Sequence, residues 1–545
     1  MAETRLESAA VPAEKLVALQ QKYAQDLTQL CTAYAEGKGL PQAKDKRFSG
    51  PEWNGFYGFA AALYLLNARY LMQMAESVEA DVKTRERVRF ATQQWVEAMS
   101  PANFLATNPE AQHKLLETKG KSLRSGILNM LGDLSKGKVS QTDESAFEVG
   151  RNLAVTPGAV VFENDYFQLI QYTPATPQVH ALPLLMVPPC INKYYILDLQ
   201  PENSLVNFLV GEGHTVFLVS WRNPGQDMAQ ATWDDYIEHG PIRAMEVVQD
   251  ITGHKKLNVF GFCVGGTIVS TALAVLAARG KHPAASLTLL TTLLDFRDTG
   301  VLDVFIDENQ VQFFETTLAG QHGGQVGLMR GVDLGATFSF LRPTDLVWSY
   351  VVGNYLKGGT PPAFDLLYWN GDGTNLPGPF YAWYLRHTYL QDELKQPGWL
   401  KVCGETLDLG RIEAPVFIYG SMEDHIVPWK AAYASTRLLK GEKTFVLGAS
   451  GHVAGVINPP AKKKRSYWTL DAKEGKGAKG KKAELPKQAE DWFAAAQEHP
   501  GSWWPVWGVW LAGHAGEMQA APKKPGSKNY PVIEPAPGRY VRQKA

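Results

Sequence analysis

Cysteine is scarce in this chain: four in 545 residues, Cys31, Cys190, Cys263 and Cys403, with no CxxC pair among them. A small disulfide-stapled scaffold is excluded, and free thiols in a reducing cytoplasm are expected. Neither sign of charge is in excess, with 54 Lys and Arg against 55 Asp and Glu. No global field then draws the protein to nucleic acid or to an anionic membrane, and recognition by charge has to be local. Long hydrophobic runs are missing too. The most apolar stretch, FYGFAAALYLLNARYLMQM, is broken by Asn67 and Arg69 and falls short of the roughly 20 apolar residues that span a bilayer. The first 30 residues hold no apolar signal core. No transmembrane segment and a cytoplasmic location are the expectations.

What the chain has is length, enough for a large core and roughly two to four domains. Up to about residue 135, apolar residues recur at three- and four-residue spacing, which predicts a helical N-terminal domain over 1–145. After TDESAFEVGRNLAVTPG the pattern turns to short β-rich runs: AVVFEN, FQLIQYTP, PLLMVPP, HTVFLVSW, LNVFGF, SLTLLTTLLD, PVFIYG and KTFVLG. Helical stretches or turn clusters separate most of them, the alternation of an α/β fold with a doubly wound, mostly parallel sheet over 146–545. Between Asp298 and Gly404 lie roughly a hundred aromatic-rich residues, far beyond an ordinary loop, so an inserted cap or lid domain is expected over 298–404. KKKRSYWTLDAKEGKGAKGKK, Lys462 to Lys482, reads as a basic flexible loop over about 462–484, with an anion contact as the alternative. GSWWPVWGVWLAG, Gly501 to Gly513, concentrates Trp503, Trp504, Trp507 and Trp510; packing against the sheet is expected, with an exposed apolar landing surface as the alternative.

GFCVGG, Gly261 to Gly266, lies between LNVF and TIVSTALAVLAARG. Strand, G-x-C-x-G and helix together make the context of a nucleophile elbow. Gly261 and Gly265 let the backbone fold tightly while Cys263 projects from the top of the sheet, and the N-terminal N–H groups of the following helix favour its thiolate. The alternative is an inert cysteine in a glycine-rich turn. A cysteine nucleophile needs a base, and the base an orienting carboxylate. APVFIYG runs into SMEDHIVP and so places Asp424 just past a strand; KTFVLG runs into ASGHVAG and places His452 in a glycine-flanked loop. Nucleophile, acid, histidine is the chain order of α/β-hydrolases. Asp295 is an alternative acid, and His425 an alternative base or a substrate-steering group.

An oxyanion hole needs two backbone N–H donors, one from Val264 after the nucleophile and one from the loop VPPCINKYY. Pro188 and Pro189 have none to give, which leaves Cys190 or Ile191, with Ile191 favoured. Arg342, in FSFLRPTDLVW, is a candidate for meeting substrate phosphates, or else a structural arginine at a turn. Trp369, in LYWNGDG, reads equally as core, dimer contact or substrate wall.

With these residues in place, the chain resembles the class I polyhydroxyalkanoate synthases. GFCVGGT, SMEDHIVPW, GASGHVAGVINPP, VPPCINKYYILDL, LRPTDLVWSYVVGNYLKG and FDLLYWNGDGTNLPG are similar to that family's blocks, in order, and the likeness runs from about Phe48 to IEPAPGRYV. The resemblance implies an α/β-hydrolase core with a cap and a helical N-terminal domain, Cys263 as the acylated nucleophile, His452 as general base and Asp424 as the supporting acid. It also implies a homodimer at the surface of a polyester granule, (R)-3-hydroxyacyl-CoA as substrate, a growing polyester as product, and no cofactor beyond the coenzyme A that enters and leaves with the substrate.

The thiol has its own chemical reason. A serine attacking a thioester makes an oxygen ester, downhill and less reactive, whereas a cysteine exchanges one thioester for another and keeps the acyl group activated. If that acyl group carries a 3-hydroxyl, each unit brings both electrophile and next nucleophile, and transfer becomes chain growth. A cap that excludes water then separates polymerisation from hydrolysis.

Overall fold

The computed structural model describes residues 10–38, 45–470 and 485–545. They divide into two compact units, one of residues up to Glu144 together with Gly335–Phe364, the other of Ser145–Leu334 and Asp365–Ala545.

The first unit is helical, built on α1 (Ala13–Ala35), α2 (Gly55–Glu76), α3 (Val82–Ala98), α4 (Pro109–Glu117) and α5 (Lys121–Lys136). The polar residues that interrupt the apolar run of α2 are met by α1: Asn67 Oδ1 accepts from Tyr23 Oη at 2.8 Å, and Arg69 Nη2 donates to Asp26 Oδ2 at 2.7 Å. Among the described residues no helix is long and apolar enough to cross a membrane. The segment expected as a cap over 298–404 is shared between the units. Its part from Gly335 to Phe364 belongs with the N-terminal helices, where Thr344 N donates to Glu97 Oε2 of α3 at 2.8 Å and Asn129 Nδ2 of α5 donates to Asn354 O at 3.1 Å.

The second unit is an α/β-hydrolase fold around one mixed sheet. Its strands are β1 (Gly158–Glu163), β2 (Phe167–Tyr172), β3 (Leu184–Val187), β4 (Val216–Trp221), β5 (Leu257–Phe262), β6 (Ala284–Leu290), β7 (Val416–Ser421), β8 (Lys443–Gly448), β9 (Ser466–Thr469), β10 (Gln497–Pro500) and β11 (Glu534–Pro535). In space they run β10-β9-β8-β7-β6-β5-β3-β4-β2-β1-β11, and β4, β3, β5, β6, β7 and β8 are mutually parallel. The parallel strands are almost wholly buried on both faces, as continuous Val, Ile, Leu and Phe runs require. The order reverses at β3, whose neighbours are β4 on one side and β5 on the other, the place in an open α/β sheet where a binding crevice is expected at the C-terminal strand ends.

Two expectations need correcting. The strand read as SLTLLTTLLD stops at Leu290, because Thr291 takes a left-handed φ of 39° and breaks the ladder. The basic stretch is not loop throughout: Ser466–Thr469 forms β9, antiparallel to β8, with Tyr467 and Trp468 opposite His499 and Glu498. Lys462 to Arg465 are exposed, and residues 471–484 of the expected loop lie outside the described residues.

Candidate active site

β5 ends at Phe262, and α6 (Val264–Ala278) begins immediately after Cys263. Cys263 itself sits at φ 53° and ψ −127°, a left-handed backbone that costs a non-glycine residue roughly 1–3 kcal/mol and lifts its side chain out of the strand. Its N–H donates to Leu290 O at 2.9 Å, and its carbonyl accepts from Gly266 N at 2.9 Å. The glycines are required by close approach. A Cβ on Gly265 would lie 2.3 Å from Val187 O and 2.6 Å from Pro188 O, and one on Gly266 would lie 2.0 Å from Thr292 Oγ1. Gly265→Ala is therefore expected to push the elbow away from the end of β3, with a loss of roughly 1–3 kcal/mol read from denaturant midpoints.

Asp424 follows β7 and His452 opens the short helix His452–Val456 beyond β8. His452 Nδ1 lies 2.7 Å from Asp424 Oδ2, while Asp424 Oδ1 accepts from the backbone N–H groups of Ile426 and Val427, both at 2.9 Å. The ring of Phe262 stacks on the His452 ring with centroids 5.7 Å apart, and Cys263 is near enough to act on that ring electrostatically. With Nδ1 given to Asp424, Nε2 is the nitrogen that a proton donor would meet. Burial opposes charge on the His452 ring, but Asp424 and Cys263 outweigh it and raise its pKa well above the ordinary 6.5. A raised folded value means that the pair's contribution to stability is complete below the ordinary 6.5 and is lost as pH climbs through the folded value. Denaturant midpoints of the wild type and of His452→Gln are thus expected to converge as pH rises.

The tryptophan block forms α7 (Trp504–Ala512) and its lead-in, and it holds the histidine from below. Trp503 Nε1 donates to Gly455 O at 3.1 Å and Trp504 Nε1 to Val456 O at 2.9 Å, at the end of the helix that His452 begins. Trp503, Trp504 and Trp507 are buried, as expected for packing against the sheet.

Val264 is the first residue of α6, and the loop after β3 abuts it through the contact of Gly265 with Val187 and Pro188. Cys190 and Ile191 are fixed by their carbonyls: Thr374 Oγ1 donates to Cys190 O at 2.5 Å and Thr374 N to Ile191 O at 2.8 Å. Burial, together with the neighbouring Cys263, holds the Cys190 thiol well above the usual range. Trp369 is buried, and its Nε1 donates to Lys193 O at 2.6 Å, which makes it a support of this loop.

The other sequence candidates each have surroundings of their own. Asp295 is occupied by Arg297, with Nη2 at 2.6 Å from Oδ2, and by Lys395 at 3.1 Å. Burial pushes its pKa up, and those two cations hold it below the ordinary range. His425 follows Asp424 in the same turn, with its carbonyl accepting from Val301 N at 3.1 Å. Arg342 lies in the helical unit, exposed and paired with Asp345 at 2.5 Å. Two residues the sequence did not single out, Tyr384 and Tyr389, pack edge to face at 5.5 Å, and both phenols lie above the usual tyrosine range: burial raises each first, followed by Tyr389 and then Cys263 for Tyr384, and by Cys263 for Tyr389. Their signal was only the aromatic density of YAWYLRHTYL. Among the described residues no group of three or more His, Cys, Asp and Glu is placed to hold a metal ion.

Comparison with known proteins agrees with this fold. Residues 44–209 match the family described as the poly-beta-hydroxybutyrate polymerase (PhaC) N-terminus, and residues 183–459 match the alpha/beta hydrolase fold. The chain is 66% identical to the poly(3-hydroxyalkanoate) polymerase subunit PhaC of Cupriavidus necator over 97% of its own length and 88% of that protein. It is 41% identical to the poly(3-hydroxyalkanoate) polymerase of Methylorubrum extorquens over 96% of its length and 85% of that protein. The chain belongs to the polyhydroxyalkanoate synthase family, acyltransferase polymerases built on an alpha/beta-hydrolase fold.

Proposed function

We propose that this protein joins (R)-3-hydroxyacyl-CoA thioesters into a polyester by passing the acyl group through Cys263. The observation that carries the reading is the 2.7 Å bond from Asp424 Oδ2 to His452 Nδ1, on a ring that the Cys263 elbow influences electrostatically. In acylation the Cys263 sulfur forms a bond to the acyl carbon and the bond to the CoA sulfur breaks; the thiol proton passes to His452 and on to the leaving CoA thiolate. In transfer a hydroxyl oxygen bonds to the acyl carbon, the Cys263 bond breaks, and the hydroxyl proton returns through His452 to the cysteine. Val264 N–H and a donor from Cys190 or Ile191 meet the oxyanion in both steps. Tyr384 and Tyr389 form part of an aromatic wall that keeps water from the thioester.

Coenzyme A is substrate and product in this scheme, and no resident cofactor takes part. Following the family resemblance, the enzyme works as a cytoplasmic homodimer at the surface of the polymer it makes; His425, in the turn that holds Asp424, steers substrate. The test is purified enzyme given 3-hydroxybutyryl-CoA, with free CoA and insoluble ester both measured. Equal yields of the two support polymerisation. CoA release with only soluble 3-hydroxy acid would make the protein a thioesterase, and no CoA release would leave it a binding protein.

A further inference from the structure

The loop that carries the second oxyanion donor is mounted on another loop rather than on the sheet. Asn192 Nδ2 donates to Trp369 O at 3.4 Å, and Trp369 and Thr374 hold the carbonyls of Lys193, Cys190 and Ile191. That mount, Trp369–Asn375, needs fixing in turn. Asn375 N donates to Asn223 Oδ1 at 2.9 Å, and Asp372 accepts from Tyr195 Oη at 2.9 Å.

A segment distant in sequence closes the arrangement. Lys193 Nζ donates to Gln543 O at 2.6 Å, Asn223 Nδ2 donates to Lys544 O at 2.8 Å, and Lys544 Nζ pairs with Asp372 Oδ1 at 2.9 Å. Residues 543–544 thus touch the root of the oxyanion loop, its mount, and the residue that braces the mount. Lys193 and Asp372 are 2% and 5% exposed. Charges so placed cost several kcal/mol of desolvation unless they are paired and bonded, and a buried pair is weak evidence for stability. Burial lowers the Lys193 amine to about 8 against the pull of Asp372, which shows the same cost.

We propose that Lys193, Asp372 and Lys544 form a clasp that sets the position of the oxyanion loop, and so act as positioning residues for acylation of Cys263. The proposal rests on the reading of Cys263 as nucleophile, and two rates separate them. Acylation by 3-hydroxybutyryl-CoA passes through an oxyanion and needs the loop. Alkylation by iodoacetamide forms the S–C bond as iodide leaves, with no oxyanion, and needs only the thiolate.

Lys544→Met leaves a largely exposed side chain uncharged and is expected to lower kcat/KM for CoA release by about 10- to 100-fold, the effect of an ångström-scale misplacement, with alkylation within about twofold of wild type. Asp372→Asn is expected to behave alike, and Lys544→Arg to restore most of the rate. Unchanged CoA release in both variants, or alkylation falling in step with it, would overturn the clasp. Continued CoA release by wild-type enzyme fully alkylated at Cys263 would overturn the catalytic reading beneath it.

Discussion

Cys263→Ala is expected to lower CoA release from 3-hydroxybutyryl-CoA by about 10⁴- to 10⁶-fold, the range seen when the nucleophile of a catalytic triad is removed. Alanine tolerates the elbow's backbone about as well as cysteine, so near-ultraviolet circular dichroism and the denaturant midpoint should hardly move. Cys263→Ser is the sharper variant. A serine placed at φ 53° above the same helix N-terminus still meets His452, but its attack turns a thioester into an oxygen ester. That step runs downhill, and the acyl group then lacks the activation to move to the next hydroxyl. The serine enzyme should accumulate an acyl adduct, seen as a mass increase on the peptide carrying residue 263, and make almost no polymer. A serine variant that turned over at a rate near wild type would show that the thiol's leaving ability is not what sustains chain growth.

Asp424→Asn should cost about 10⁴-fold in kcat with the fold intact, the effect of forcing the wrong imidazole tautomer. The geometry gives the reason. Oδ1 of Asp424 accepts two backbone N–H groups, from Ile426 and Val427. An asparagine has to keep its carbonyl oxygen there, which turns its NH₂ toward His452 Nδ1. The ring must then accept at Nδ1 and carry its proton on Nε2, facing the thiol, where it can no longer take the cysteine proton. Iodoacetamide alkylation of Cys263 should slow as well, in contrast to the clasp variants. A rate within tenfold of wild type would mean that Asp424 does not set the tautomer.

The parts of the site legible in the sequence were those with local signals. The elbow shows as glycines at fixed offsets because a Cβ at Gly265 would lie 2.3 Å from Val187 O and one at Gly266 would lie 2.0 Å from Thr292 Oγ1. Asp424 and His452 show because strand ends project loops to one edge of a parallel sheet, and strands read well as β-branched runs. Asp295 is an alternative acid only on a strand drawn as far as Asp295; Thr291 ends the ladder, and the carboxylate pairs with Arg297 and Lys395. The placement of Gly335–Phe364 with the N-terminal helices was hidden, since helical periodicity reveals an apolar face but not its partner. Lys193, Asp372 and Lys544 were hidden for the same kind of reason. A charged pair separated by more than a hundred residues leaves no local pattern, and an isolated lysine reads as surface.

The link from Lys193 to Gln543 spans 350 positions, and Trp503 and Trp504 bond the histidine's helix from 48 positions downstream. A ribosome adding about 5–20 residues per second releases the elbow well before these braces exist. During that interval the growing chain presents a cysteine with neither its histidine fixed nor its oxyanion loop seated. On the reading of Cys263 as nucleophile, synthesis order delays reactivity: the chain is not expected to be acylated at speed until residues 543–544 have emerged.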